Sequence, residues 1–171
     1  YLAVNRKFAD TVVEEAKTSN PVILVQDYHF ALLPKMIKER LPDATVITFW
    51  HIPWPNPEAF GICPWREEIL DGLLGSDILG FQTRFHCNNF IDSVDRFMQS
   101  RIERESSTVA YGERLTAVNP YPISIEYPSR WMKDQKSVSE CRRVVRESNG
   151  LPADRLIGIG VDRLDYTKGI L

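Results

Sequence analysis

Val4, Phe8, Val12, Val13 and Ala16 recur at the three-to-four-residue spacing of one helix face, which predicts an amphipathic helix over about residues 3–18. The next apolar residues are contiguous: Pro21-Val-Ile-Leu-Val-Gln26, closed by Asp27. A short unbroken run between turn residues reads as a strand buried on both faces, the habit of a parallel sheet. Leu32, Leu33, Met36 and Ile37 return to helical spacing, and Ala44-Thr-Val-Ile-Thr-Phe49 makes a second buried strand. Strand and helix alternating this closely predict βαβ units with right-handed crossovers.

Pro53, Pro55, Pro57 and Pro64 then exclude regular structure between Trp50 and Trp65, leaving a shaped loop. Helix resumes from Arg66 to Leu74, Asp77-Ile-Leu-Gly-Phe81 reads as a third buried strand, and Phe85, Phe90, Val94, Phe97 and Met98 stripe a long helix. Residues 108–111 and 114–118 pair as a hairpin through Tyr111-Gly112-Glu113, and Pro122-Ile-Ser-Ile-Glu126 is a further strand candidate. Ser137-Val-Ser-Glu140 is a capping box for a helix whose apolar face is Val138, Cys141, Val144 and Val145, stopped by Gly150. Leu156-Ile-Gly-Ile-Gly-Val161 reads as a last strand leading into Asp162-Arg-Leu-Asp-Tyr-Thr-Lys168-Gly169. The pattern predicts an α/β protein: a doubly wound parallel-sheet domain, a charged hinge between about 128 and 155, and the first strand of a second domain.

Composition narrows the class. The 171 residues are 43% hydrophobic and 26% charged, which excludes disorder. A chain of this length buries roughly 70% of its extended-chain surface. A net charge of −2 gives no electrostatic case for nucleic acid or an anionic membrane. No run of about 18 apolar residues offers a membrane span. Cys63, Cys87 and Cys141 form no Cys-x-x-Cys, so neither a disulfide framework nor a zinc site is indicated, and a reducing cytoplasm is the simplest location. Neither end reads as a natural terminus, so the chain is expected to be a piece of a longer protein.

In an open parallel sheet, ligands bind beyond the carboxyl ends of the strands. Those ends carry Asp27-Tyr28-His29, then Trp50-His51 with its proline loop, then Gln82-Thr83-Arg84, and last Arg163 with Lys168. Asp27 reads as an acceptor or base for a sugar hydroxyl, or equally as a helix N-cap. His51, held between a strand and a rigid loop, reads as a donor to a ligand or as a structural histidine; His29 and His86 take the structural reading. Arg163 and Lys168 flank a turn ending in Gly169 and suit a diphosphate, or else form a solvated loop in which Asp162 or Asp165 pairs with Arg163. Trp50, Trp54, Trp65 and Phe60 read as sugar-stacking or loop-holding aromatics. The histidines lack metal-ligand spacing, and no metal is expected.

Three blocks together resemble the trehalose-6-phosphate synthase family: His51-Ile-Pro-Trp-Pro55, Asp77-Ile-Leu-Gly-Phe-Gln-Thr83 and Val161-Asp-Arg-Leu-Asp-Tyr-Thr-Lys-Gly169. Gln26-Asp-Tyr-His29, Tyr121-Pro-Ile-Ser-Ile125 and the opening Tyr1-Leu-Ala-Val-Asn5 match it in the same order. The resemblance implies a retaining glycosyltransferase of GT-B architecture, with two Rossmann-like domains facing a cleft. Such an enzyme moves glucose from a nucleotide sugar, usually UDP-glucose, to glucose 6-phosphate. It implies no cofactor and no metal, because two cations take over the role of a divalent ion.

By motif position, Asp27 resembles the acid that contacts sugar hydroxyls in the acceptor cleft, and His51 the histidine that contacts the transferred glucose. Arg163 and Lys168 resemble the catalytic pair that holds the donor diphosphate. The resemblance divides the chain into 1–130, part of the N-terminal acceptor-side domain, 131–154, an interdomain helix and hinge, and 155–171, the start of the nucleotide-sugar-binding domain. The family's N-terminal phosphate-binding loop and most of its donor domain have no counterpart here, so the fragment alone is expected to be inactive. A homo-oligomer of the full-length enzyme, a glucosylglycerol-phosphate synthase of the same family, and a non-catalytic sugar-phosphate sensor stay open. A dinucleotide-dependent dehydrogenase is disfavoured by the missing Gly-x-Gly-x-x-Gly.

Overall fold

The computed structural model describes residues 1–132, 135–165, 168 and 169, and divides the chain into two compact units, Tyr1–Ser124 and Ile125–Leu171. The first unit is a six-stranded sheet with helices. One of these is a single turn at Pro57–Phe60, inside the stretch where prolines were expected to exclude regular structure. Pro57 stands at its first position, where no N–H is needed, and the Asn56 side chain caps it. In chain order it comprises α1 (Leu2–Glu15), β1 (Val22–Gln26), a 3₁₀ turn at Tyr28–Phe30, α2 (Leu33–Lys38), β2 (Thr45–Phe49), α3 (Pro57–Phe60), α4 (Arg66–Leu73), β3 (Ile78–Phe81), α5 (Arg84–Phe97), β4 (Arg101–Glu103), β5 (Thr108–Tyr111) and β6 (Arg114–Pro120).

The strand order is β1-β2-β3-β6-β5-β4. β1, β2, β3 and β6 pair in parallel, as the contiguous apolar runs require, whereas β5 and β4 add an antiparallel edge. The parallel strands are arranged as they occur in the chain, so the described strands make one wing of a Rossmann-like sheet. The hairpin between β5 and β6 turns through Gly112, whose φ of 61 is the positive value such two-residue turns need. β6 extends this hairpin into a central strand, because its other edge takes up the register Ile78↔Ala117 to Phe81↔Pro120 with β3.

Two cores hold the unit together. α1 and α2 close over Val25 and Val46 with Ala9, Leu33, Ile37 and Ala44. The larger core joins Leu70, Leu73 and Leu74 on and after α4 to Leu79 and Phe81 of β3, Phe90 and Val94 of α5, and Trp54 from the proline loop. Buried hydroxyls are satisfied between strands: the Thr48 and Ser76 hydroxyls lie 2.7 Å apart, and Thr116 donates to the Ser76 carbonyl at 2.7 Å.

The strand expected to be buried on both faces is covered on one only. Ile23 and Val25 meet α1 and α2, while Val22 and Leu24 on the other face are 67% and 68% exposed. A contiguous apolar run records which residues avoid water, not whether an element is present to cover both sides. Pro122–Glu126, expected as a strand, pairs with no described strand; Pro122 has no N–H, and the Ile123 N–H is taken by the Gln82 side chain at 3.3 Å.

In the second unit, α6 (Val138–Ser148) starts as the capping box predicts, with the Ser137 hydroxyl accepting from the Glu140 N–H at 3.2 Å. It ends where Gly150 takes φ 61, the Leu151 and Gly150 N–H groups donating to the Arg146 and Glu147 carbonyls in a Schellman arrangement. Its expected apolar face stays open, with Val138, Val144 and Val145 exposed. Leu156–Val161 forms no strand among the described residues. A strand is defined by a neighbour that takes its backbone hydrogen bonds, and none of the described residues supplies one.

Candidate functional site

The parallel register brings the carboxyl ends of β1, β2, β3 and β6 level. Hydrogen bonds continue the ladder one step past β1, β2 and β6: Asp27 N–H to Phe49 O at 2.8 Å, Trp50 N–H to Gly80 O at 2.9 Å, and Tyr121 N–H to Phe81 O at 2.7 Å. The Asp27, His51 and Gln82 segments therefore leave the sheet along one edge, whereas Arg163 and Lys168, in the second unit, follow no described strand. Gly80 is required at this edge, since a Cβ there would lie 2.7 Å from the Tyr121 ring and 3.0 Å from that of Phe49.

Asp27 and His51 meet. The Asp27 backbone adopts φ 66 and ψ 178, a region almost reserved for glycine, which costs a side-chain-bearing residue about 1–3 kcal/mol. Its carboxylate caps nothing on the following turn; instead Oδ1 accepts from the His51 N–H at 3.1 Å. The His51 imidazole stands edge-on to the Phe49 ring, with centroids 4.7 Å apart, and its Nε2 lies 2.7 Å from Gln26 Oε1.

The loop that carries His51 is anchored from beneath. Trp54, 1% exposed, contacts Trp50, Phe60, Phe81 and Phe90 through its ring, and its indole N–H donates to Ser93 Oγ at 3.1 Å. Its carbonyl accepts from Asn89 at 3.0 Å and lies 3.2 Å from His86 Nδ1. Trp54, Phe60 and His86 are thus loop-holding residues, which leaves His51 on the open side of a rigid turn.

A largely apolar cleft of about 620 Å³ is walled by Tyr1, Tyr28, Leu32, Trp50, Trp65 and Ile69, with Glu68 as its one charged side chain among the described residues. Trp50 is 7% exposed and its indole N–H has no hydrogen-bond partner among the described residues. Trp65 is 66% exposed, and Tyr28 stacks on His29 with centroids 4.1 Å apart. A larger concavity, about 980 Å³, opens beside the β5–β6 turn, lined by Tyr111, Gly112 and Arg114 together with Lys35, Asp71 and Glu68. Gln82 and Arg84 are engaged by the fold: Gln82 accepts from Ile123 N–H, and Arg84 donates to Ser107 Oγ at 2.9 Å. Burial pushes the Cys87 thiol above its usual range against the pull of Arg84, so it is no ready nucleophile.

Arg163 and Lys168 belong to the second unit. The Arg163 N–H donates to Asp162 Oδ1 at 2.8 Å, and Lys168 Nζ lies 3.6 Å from Asp162 Oδ2. The Lys168 N–H donates to the Asp165 carbonyl at 3.0 Å, closing the turn that ends in Gly169. Tyr166 and Thr167 of the same motif, like the terminal Ile170 and Leu171, lie outside the described residues. Among the described residues no group of three or more His, Cys, Asp or Glu is arranged to hold a metal ion, and no helix is long and apolar enough to cross a membrane.

Sequence reasoning missed Gln26. It ends β1 as an ordinary polar residue, and its reach to His51 follows only from the pairing of Gln26 with Phe49.

The family model for glycosyltransferase family 20 matches residues 1–171. A trehalose-6-phosphate synthase of Mycobacterium sp. (strain JLS) is 39% identical over 178 residues, covering 99% of this chain and 36% of its own length. An alpha,alpha-trehalose-phosphate synthase [UDP-forming] of Pichia angusta is 35% identical, again over 99% of this chain and 36% of its own length. Among solved structures, a UDP-forming alpha,alpha-trehalose-phosphate synthase from Burkholderia xenovorans superposes with a TM-score of 0.77 at 30% identity, covering 99% of this chain and 37% of that one. The chain thus spans little more than a third of the relatives it matches.

Proposed function

The chain belongs to glycosyltransferase family 20, and on that premise we propose that the full-length protein transfers glucose from UDP-glucose to glucose 6-phosphate with retention, forming α,α-trehalose 6-phosphate. The observation that carries this reading is the match over the whole chain combined with Asp27 and His51 joined at the carboxyl edge of the sheet. The names of the relatives support a UDP-forming reaction.

In this reading Asp27 accepts from acceptor-sugar hydroxyls and His51 contacts the transferred glucose. Arg163 and Lys168 hold the donor diphosphate. The acceptor's anomeric hydroxyl attacks the donor anomeric carbon on the face from which the diphosphate departs. The bond from that carbon to the diphosphate oxygen breaks, the new glycosidic bond forms, and the acceptor proton passes to the departing phosphate oxygen. No protein nucleophile is required; positioning and charge stabilisation supply the acceleration. The two cations neutralise the leaving group in place of a divalent ion, and the enzyme works in the cytoplasm. Lys168 exchanges its carboxylate partner Asp162 for the diphosphate.

The test is nucleoside-diphosphate release by the full-length protein given UDP-glucose with glucose 6-phosphate or with glycerol 3-phosphate. Release with glucose 6-phosphate alone supports the reading. Release with the glycerol compound alone moves the function to the sibling synthase, and silence with every nucleotide sugar favours a sensor. Lys168→Ala should lower kcat by about 10²–10³, the scale for losing one group that stabilises developing charge; wild-type turnover in that variant would remove Lys168 from the mechanism.

A further inference from the structure

We propose that Gln26 is a positioning residue that selects the tautomer of His51 and thereby what its ring offers to a sugar hydroxyl. The inference rests on the reading that His51 faces the transferred glucose. Three neighbours restrain His51, each at a different point. Asp27 Oδ1 takes its backbone N–H at 3.1 Å, the Phe49 ring stands against the flank of the imidazole with centroids 4.7 Å apart, and Gln26 Oε1 lies 2.7 Å from Nε2. The first sets the chain and the second limits the tilt. Only the third acts on the protons of the ring.

A neutral imidazole carries one N–H and one bare nitrogen, and the partner of either nitrogen decides which is which. An amide oxygen accepts, so Gln26 holds the proton on Nε2 and leaves Nδ1 with its lone pair. His51 then offers a hydrogen-bond acceptor at Nδ1; the other tautomer would offer a donor there, and a ligand hydroxyl would have to reverse its own hydrogen bond to match. Gln26 and His51 are both exposed, so the bond adds little to folding, and its consequence is orientation. The β1–β2 register makes the contact possible, because Gln26 pairs with Phe49, two residues before His51.

The experiment uses the full-length protein with ¹⁵N-labelled histidine, read by long-range ¹H–¹⁵N correlation, the His51 signals being identified by their loss in His51→Ala. The wild type and Gln26→Glu, which keeps an acceptor oxygen, should show His51 protonated on Nε2, whereas Gln26→Leu should show mixed tautomers. In nucleoside-diphosphate release, Gln26→Leu should lower kcat about tenfold with a smaller change in KM, the mark of an interaction felt in the transition state. Gln26→Leu in the His51→Ala background should cause no further loss. An unchanged His51 tautomer in Gln26→Leu overturns the proposal, as does an equal loss from Gln26→Leu with and without His51. If no sugar nucleotide turns over, the functional reading fails by itself, and the tautomer measurement still decides the role of Gln26.

Discussion

Asp27 shows how one residue can be held in a shape it would not choose. Its φ of 66 with ψ of 178 persists because the Asp27 N–H continues the ladder to Phe49 while its carboxylate reaches the His51 N–H. Glycine adopts this region without steric cost, whereas alanine keeps the strain and loses the carboxylate bond. Asp27→Gly is therefore expected to be more stable than Asp27→Ala by about 1 kcal/mol, measured by urea denaturation. An alanine variant at least as stable as the glycine one would mean that the strain is not intrinsic to this position. The place of Asp27 and His51 at the carboxyl edge was legible because each follows an apolar run, and open sheets bind ligands beyond such ends. Gln26 was not, because it lies on the strand itself, and its role depends on a partner 25 positions away.

Among the elements, α4 and the turn after it come close to α2 and the residues just before it. A Cβ on Gly72 would fall on the Ala31 carbonyl and the Leu32 Cα, and one on Gly75 would overlap the backbone of Pro34 and Lys35. Backbone cannot rotate away as a side chain can, so Gly75→Ala should cost about 1–3 kcal/mol and lower the Tm in thermal melting. An unchanged Tm would show that the helices separate freely. Nothing in the sequence distinguishes Gly75 from Gly158, whose added Cβ would meet no atom within 4 Å. The element types were legible for α1, β1, β2, α4, β3 and α5, where the apolar period is long or the run is bounded. Leu156–Val161 and Pro122–Glu126 have strand-like composition without a strand's partners among the described residues. β4, only Arg101–Glu103, carries too few residues to show a period and exists because β5 offers it an edge.

Across the first unit as a whole, Asp71 ties three separate elements together. From α4 it accepts from Lys35 of α2 at 2.5 Å and from Arg114 of β6 at 2.8 Å. Burial pushes its carboxyl upward, but the hydrogen bonds from Lys35 and Arg114 and their charges outweigh this and hold it below the usual carboxylate range. A carboxylate with a lowered native pKa adds stability at pH above its unfolded value, about 4, and loses that contribution as pH falls through the lowered native value. Asp71→Asn should therefore flatten the acid limb of the stability curve, seen in urea midpoints below about pH 4, and destabilise the protein at neutral pH. Parallel acid limbs in the two proteins would count against this linkage. By itself the sequence determined the α/β class, the order of the central elements and the positions where polar groups leave the strands, because these follow from local periodicity and from residues such as proline that act on their own backbone. Only the tertiary structure decided that one face of β1 lies open, that β6 is both hairpin arm and central strand, and that Gln26 meets His51. Periodicity records which side chains avoid water, whereas coverage, pairing and side-chain direction are relations between distant segments that exist only once the chain has folded.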